Sequence, residues 1–245
     1  MALILAPTPP PQSDTGGVSL GRIHAPDPRD ARYSLRSLLA ARPPMPRLPF
    51  RIWLPCAPID QEDVSSCVEH GFTHRYLGHP IQRRRSALPW RQHEYYRACQ
   101  TRDEWEGESY EGTSLRAGAR YGQELGLIES YWWVTSLDDM LDYVLAPPSE
   151  RKDGAFGGTL IMGTHWAEGM CLPDANGFIH YSGRVLGGHC YLIYGASLKR
   201  RAFRYQNSHR RNMRGWISFA DAERLLADQG EAMAVVEAIA PGAVR

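Results

Sequence analysis

Residues 60–67, Asp-Gln-Glu-Asp-Val-Ser-Ser-Cys, are the most informative stretch of the chain. The two serines are good helix caps, so a helix is predicted to begin beside them and to continue towards Tyr76. Cys67 would then lie at the positive end of that helix, which lowers the pKa of a thiol and favours the thiolate. Gln61 can fold back and donate its side-chain N–H to a developing oxyanion, together with the Cys67 backbone N–H. Taken alone, the stretch also fits a buried structural cysteine, which is the commoner case.

A second stretch, residues 187–195 (GGHCYLIYG), places a histidine at the start of an apolar strand. Two glycines allow a neighbouring element to approach closely, and His189 can face a cleft from the open end of the strand. There it can form the thiolate–imidazolium pair that activates a cysteine nucleophile. A structural histidine bonded to backbone fits the same stretch equally well.

A third stretch, residues 203–209 (FRYQNSH), contains an asparagine that can complete such a site. Asn207 can accept the other imidazole N–H and so fix the tautomer and orientation of the ring. A turn at the end of a strand is the alternative explanation.

In order and spacing, these three stretches resemble the papain-like cysteine peptidase family, whose single Cys is followed at long distance by His and Asn. The resemblance implies an α+β, two-lobed fold, with a helical left lobe, an antiparallel β-barrel-like right lobe and the active-site cleft between them. It also implies hydrolysis of peptide bonds through an acyl-enzyme, with Cys67, His189 and Asn207 as the triad and Gln61 at the oxyanion. No metal or organic cofactor is needed.

Flanking segments extend the resemblance over roughly residues 19–240. Residues 20–22 (LGR) and 26–30 (PDPRD) look like the opening segment of bacterial and phage members. Residues 111–115 (EGTSL) look like their glycine strip, which would place Gly112 along the backbone of a bound substrate.

The right lobe carries the likeness to phage members. Residues 159–170 (TLIMGTHWAEGM) resemble a strand of phage-type members, and residues 230–232 (GEA) add to it. Met162 and Gly188 are expected to contact substrate, which is a peptide or protein. A bacteriophage origin is expected, with neighbouring phage structural proteins as partners through residues 1–50 if that region is an interaction arm rather than a pro-segment.

The chain departs from the family pattern at four positions around the site. The usual Gly-Ser-Cys-Trp is replaced by residues 65–68 (SSCV), and Val64 replaces a cysteine that commonly forms a disulfide. His209 stands where a tryptophan usually shields the asparagine, so a more hydrated and weaker His189–Asn207 bond is expected. These departures leave open a papain-fold structural component of a phage particle, with weak or no catalysis.

Amino-acid composition and hydrophobic periodicity predict the domain organisation and the secondary structure of the chain. Of 245 residues, 43% are hydrophobic and 22% charged, and the formal net charge is +1, which is ordinary for a globular protein without a polyanionic partner. Residues 1–18 are interpreted as an extended Pro-rich arm and residues 19–245 as the peptidase domain, with the left lobe at about 52–145 and the right lobe at about 155–240. Helices are predicted at 34–41, 115–125, 136–145 and 221–229, and strands at 159–163, 189–195, 202–207 and 233–238.

Membrane, metal and nucleic-acid roles are less favoured. No apolar run approaches the roughly 20 residues needed to cross a bilayer, and no targeting signal is visible, so a cytoplasmic or virion-associated location is expected. Cys67, His70 and His74 have a spacing that can chelate zinc, but a fourth ligand is not apparent. Local arginine runs at 83–85 and 210–214 fit solvated loops better than a nucleic-acid surface.

Overall fold

The computed structural model describes residues 19–41, 46–103, 110–147 and 158–238, which form a mixed α+β fold. The predicted arm at residues 1–18 lies outside the described residues. The helices are α1 (Leu35–Ala40), α2 (Cys67–Leu77), α3 (Glu94–Gln100), α4 (Leu115–Glu124), α5 (Leu137–Val144) and α6 (Phe219–Ala227). The strands are β1 (Phe50–Ile52), β2 (Ile128–Val134), β3 (Leu160–Ala167), β4 (Phe178–Ile179), β5 (Val185–Ser197), β6 (Ala202–His209), β7 (Asn212–Ser218) and β8 (Glu231–Glu237).

All the described strands belong to one sheet. Its order is β2, β8, β3, β5, β6, β7 and β4, with β1 paired to the far end of β5. The pairs are antiparallel except that of β4 with β7. Strand β5 is the longest, because apolar residues continue on both sides of the predicted 189–195 segment.

Two hydrophobic clusters flank the sheet. The larger one lies among α5, α6 and the central strands, and includes Trp166, Phe203 and Leu225. The second one packs α2 against β5 and β3, with Phe72 and Ile161 among its members. Helix α2 is buried over almost its whole length, so its first residue is held rigidly against the sheet.

The predicted helices and strands of the second half are confirmed with small shifts of their ends. The barrel-like form of the right lobe is not confirmed, because in the described part of the chain no pairing joins β2 to β4 and the sheet stays open. Strand β2 follows α4 in sequence, inside the region predicted to be helical, yet it pairs with β8 near the end of the chain. The helical and β-rich parts are therefore less segregated than predicted.

None of the described helices is long and apolar enough to span a membrane.

Candidate active site

Cys67 is the first residue of α2 and is completely buried. Ser66 occupies the N-cap position but makes no capping bond with its side chain. The thiol of Cys67 instead lies beside the backbone N–H of Cys190, the residue that follows His189 in β5. The packing of α2 on β5 thus brings the predicted nucleophile beside the strand that carries the predicted histidine.

His189 and Asn207 form a hydrogen bond between neighbouring strands. His189 Nε2 lies 2.6 Å from Asn207 Oδ1, and both residues are fully buried. Because an amide oxygen can only accept, Nε2 carries the proton of the neutral ring. The other ring nitrogen, His189 Nδ1, has no hydrogen-bond partner among the described residues. It is therefore the nitrogen that can exchange a proton with a reacting group.

Two aromatic rings enclose the His189 imidazole. His209 stacks on it with 4.2 Å between ring centroids, and Trp166 meets it edge-on at 4.7 Å. The sequence predicts a more hydrated His189–Asn207 bond because His209 replaces a tryptophan. That prediction is wrong, since His209 and Trp166 together keep both residues at zero exposure.

The Gln61 amide is held from both sides. Its Oε1 accepts from the Ser208 hydroxyl at 2.6 Å, and its Nε2 donates to the Val64 carbonyl at 2.8 Å and to the Ser19 carbonyl at 3.0 Å. His209 Nε2 also lies 2.8 Å from that Ser19 carbonyl. The amide that is predicted to meet an oxyanion thus already donates to a peptide carbonyl of the chain itself.

Residues 19–23, which we call the cleft segment, run through the site as an extended peptide. The N–H groups of Gly21 and Arg22 donate to the Gly188 carbonyl, each at 3.0 Å. On the other side, Thr113 N–H donates to the Gly21 carbonyl at 2.8 Å and Ile23 N–H to the Thr113 carbonyl at 2.9 Å. The Gly21 N–H also lies beside the Cys67 thiol. In this position the cleft segment covers the side chain of Cys67, which has no exposed surface.

The structure is similar to that of a solved cysteine protease. The crystal structure of xylellain, a cysteine protease from Xylella fastidiosa, superposes with a TM-score of 0.61 at 17% sequence identity, covering 91% of this chain and 97% of that one. The chain has the fold of a cysteine protease. This agrees with the papain-like fold class that the sequence predicts.

Two other solved structures match with lower sequence identity and lower TM-scores. Procathepsin B S9 from Trypanosoma congolense matches at 10% identity with a TM-score of 0.46, covering 89% of this chain and 83% of that one. Procathepsin L2 proteinase from Tenebrio molitor matches at 13% identity with a TM-score of 0.49, covering 89% and 78%. No family model and no curated protein matches the sequence. The similar structures give no support to a phage origin or to phage structural partners.

In this protease fold, the three predicted substrate residues lie in different surroundings. A Cβ atom built on Gly112 would lie 2.5 Å from the Gly21 carbonyl oxygen, and one built on Gly188 would lie 2.1 Å from the Arg22 carbonyl oxygen. Both glycines therefore lie directly against the cleft segment. Met162 is fully buried in the larger core cluster.

Residues of the cleft segment itself are absent from the sequence-based set of site residues. The only sequence signal for them is the likeness of residues 20–22 to a family opening segment, which does not say where that segment lies. Its position depends on contacts with residues about 40 to 210 positions away.

The zinc hypothesis receives no support. In the described ranges, no three His, Cys, Asp or Glu side chains are grouped so that they could hold a metal ion. His70 Nδ1 lies 3.0 Å from the Ser66 carbonyl, and His74 Nε2 lies 3.2 Å from the Ile59 N–H. Each ring thus uses one nitrogen within the protein.

Burial controls the protonation of the Cys67 thiol and of the His189 imidazole. It raises the pKa of the Cys67 thiol to about 12, although the N–H groups of Cys190 and Gly21 act in the opposite direction. Burial, followed by repulsion from His209, holds the pKa of His189 well below 6.5, and the bond to Asn207 opposes this. The thiolate expected from the helix N-terminus is therefore wrong for the covered site, because desolvation outweighs the helix dipole. While the cleft segment is in place, the Cys67 thiol and the His189 imidazole are both neutral.

The free energy of unfolding is expected to decrease as the pH is lowered below about 6.5. Burial is the largest cause of a lowered pKa in several histidines: His24, His70, His74, His93, His189 and His209. The unfolded chain therefore binds protons at higher pH than the folded chain, so these groups stabilise the fold above about pH 6.5 and lose that contribution as the pH falls. Glu69, whose pKa burial raises to about 7, acts in the opposite direction.

The measurement is urea unfolding followed by tryptophan fluorescence at pH 7.5 and pH 5. We expect the free energy of unfolding to be lower at pH 5 by at least about 2 kcal/mol. His74→Gln should reduce this difference, because burial lowers the pKa of His74 to about 3. Gln123→Ala, at an exposed neutral side chain, is the control and should leave it unchanged. Equal stability at the two pH values would contradict the prediction.

Proposed function

We propose that the chain is a papain-like cysteine peptidase that hydrolyses peptide bonds once the cleft segment has left the cleft. The observation that carries the proposal is the His189–Asn207 hydrogen bond, made on a strand whose next residue, Cys190, has its backbone N–H beside the Cys67 thiol. The unpartnered His189 Nδ1 supports a role in proton transfer. The xylellain likeness supports a peptidase at the level of the fold.

In the proposed reaction, Cys67 Sγ loses its proton to His189 Nδ1 and attacks the substrate carbonyl carbon. The new C–S bond forms, and the C–N bond breaks as His189 gives the proton to the leaving amine. A water then attacks the acyl-enzyme, with His189 as the base, and releases the acid and the thiol. Asn207 orients the imidazole throughout, and Gln61 donates to the oxyanion after Ser19 has withdrawn.

The contacts of the cleft segment fit a pro-segment that covers the site better than they fit an interaction arm. Its backbone is bonded to both walls of the site, and the thiol that it covers is fully buried. Its departure would expose the thiol and imidazole to water, which removes much of the desolvation that keeps both groups neutral. The proposed enzyme is therefore latent in the covered form.

Labelling with an epoxide inhibitor of thiol proteases, read by intact mass, tests the proposal. The Arg22→Ala background is used because loss of the ion pair with Glu231 is expected to loosen the cleft segment. One adduct is expected, located at Cys67 by peptide mapping, absent in Cys67→Ala, and formed at least about 100-fold more slowly in His189→Ala. Cys56→Ala, at a half-buried cysteine outside the site, should retain the adduct. Labelling at another cysteine, or an undiminished rate without His189, would overturn the proposed function.

A further inference from the structure

Large apolar side chains are exposed side by side on β1 and in the turn that follows β5. Phe50, Ile52 and Leu54 alternate along the chain and so project to one side of it. Phe50 is 56% exposed and Leu54 is 67% exposed. Leu198, which is also exposed, donates its N–H to the Pro49 carbonyl at 3.0 Å and therefore lies beside Phe50. These apolar side chains are more than half of the exposed large ones in the described part of the chain, and such a cluster marks an interaction surface.

Four cations adjoin the apolar side chains. Residues 199–201 (Lys-Arg-Arg) are exposed and directly follow Leu198 in the turn between β5 and β6. Arg204 of β6 lies on the same row of the sheet as Ile52, because both residues pair in register with Gly195. Among the described residues, no carboxylate forms an ion pair with any of these four cations. Their positive charge is therefore available to a partner.

Two of the guanidinium groups converge on one indole ring. Arg200 Cζ lies 5.1 Å and Arg204 Cζ 4.9 Å from the ring centroid of Trp216. Arg204 is held further, since its Nε donates to the Tyr194 hydroxyl at 3.0 Å. Stacking on an aromatic ring orders a guanidinium and leaves N–H donors at its edge for an anion. Two ordered cations without a carboxylate between them therefore form a site for an anionic group.

The combination of unpaired cations with exposed aliphatic side chains favours one kind of anionic partner. An anionic lipid bilayer presents its charged headgroups to the guanidinium groups. Directly beneath them it presents an apolar layer, into which Phe50, Leu54 and Leu198 can insert. Single-stranded nucleic acid has phosphates, and bases that stack on aromatic rings, but it offers no apolar layer for the two leucines. Charge and apolar character together fit a membrane surface best, and such peripheral binding needs no membrane-spanning helix.

We propose that these residues bind the surface of anionic lipid bilayers. The site, which we call the β1–β6 surface, consists of Phe50, Ile52, Leu54, residues 198–201 and Arg204. Its apolar side chains enter the boundary between headgroups and acyl chains, and its cations contact lipid phosphates. Arg204 and Asn207 are three residues apart on β6, so lipid binding holds the proposed active site roughly 10 Å from the cations along that strand. The proposal does not require peptidase activity, so the two can fail separately.

Co-sedimentation of the full chain with lipid vesicles tests the proposal. The vesicles contain phosphatidylcholine alone, or phosphatidylcholine with about one third phosphatidylserine. We expect at least about 30-fold tighter binding to the anionic vesicles, and a loss of at least about 10-fold when the salt concentration rises from about 0.1 M to about 0.5 M. Equal binding to the two kinds of vesicle, or binding to neither, would overturn the proposal.

Substitutions separate the β1–β6 surface from the overall charge of the chain. Replacing all three cations of residues 199–201 by glutamine should weaken binding to anionic vesicles at least about 30-fold. The matched control replaces Arg32, Arg97 and Arg120 by glutamine, which removes the same charge from exposed positions outside the surface. It should leave binding within a few-fold of that of the unmodified protein. An equal loss in both triple variants would show that net charge attracts the vesicles, and would refute the proposal.

The apolar side chains are tested by a variant that keeps every charge. Phe50→Ser combined with Leu54→Ser should weaken vesicle binding at least about 10-fold, because less apolar area enters the bilayer. Leu172→Ser, at another exposed leucine, is the control and should bind as the unmodified protein does.

Two other partners of the β1–β6 surface are outcomes of the same experiment. If the chain binds a single-stranded oligonucleotide of about 20 nucleotides more tightly than vesicles, and the double substitution at Phe50 and Leu54 leaves that binding unchanged, the surface is a nucleic-acid site and the lipid assignment is wrong. A dimer that the double substitution dissociates, without any binding to vesicles, would assign the surface to a second copy of the chain and would also contradict the proposal.

Discussion

Replacing Cys67 by alanine is expected to lower the rate of peptide hydrolysis by at least about 10,000-fold, because no other group can form the acyl-enzyme. His189→Ala should come close to the same loss, since the thiol then has no base beside it. Asn207→Ala should lose less, because His189 keeps its chemistry and loses only the 2.6 Å bond that fixes its tautomer. This graded order is expected of a triad and not of a structural hydrogen-bond network.

The comparison is made in the Arg22→Ala background with fluorogenic peptide amides, so that the covered site does not mask the effect. Cys99→Ala is the matched control, because Cys99 is as completely buried as Cys67 and lies in the same hydrophobic cluster. The Cys99→Ala variant should be less stable, because it loses packing in the core. Its rate of peptide hydrolysis should stay within a few-fold of that of the Arg22→Ala protein. Retention of hydrolysis in Cys67→Ala would exclude Cys67 as the nucleophile.

Local sequence patterns were sufficient to predict the elements that carry Cys67, His189 and Asn207. Serines before Cys67 predict the start of α2, and the apolar run after His189 predicts β5. The alternation around Asn207 predicts β6. In each case the signal lies within a few residues of the site residue, so one sequence is enough to read it.

Features that depend on long-range contacts could not be predicted in the same way. Arg22 and Glu231 are separated by 209 positions, and neither carries a local signal that names the other. The raised thiol pKa is a second example. It arises because Gly21 and the strands around Cys190 exclude water from Cys67, whereas the sequence shows only the helix start that would lower it.

The cleft segment is expected to control access to Cys67, and Arg22→Ala tests this most directly. The substitution removes the ion pair with Glu231 and the bond to the Gln229 carbonyl, and it leaves the carboxylate unpaired in the covered form. Both effects raise the free energy of the covered form relative to the open form, so the open population increases. The rate of epoxide labelling at Cys67 should therefore rise about 30-fold or more above that of the unmodified protein.

A second variant opens the cleft by a different physical route. A Cβ atom on Gly21 would lie 2.0 Å from the backbone carbonyl oxygen of Ser65, so Gly21→Ala cannot keep the segment in its observed place. This variant leaves Arg22 and Glu231 unchanged, yet it should also accelerate labelling of Cys67. Arg32→Ala, at an exposed arginine close in sequence, should not. Acceleration confined to Cys67, while the other four cysteines stay unlabelled and the urea midpoint stays above the labelling conditions, separates opening of the cleft from unfolding. If neither Arg22→Ala nor Gly21→Ala changes the rate, the cleft segment does not limit access to the thiol, because two independent ways of displacing it would have had no effect.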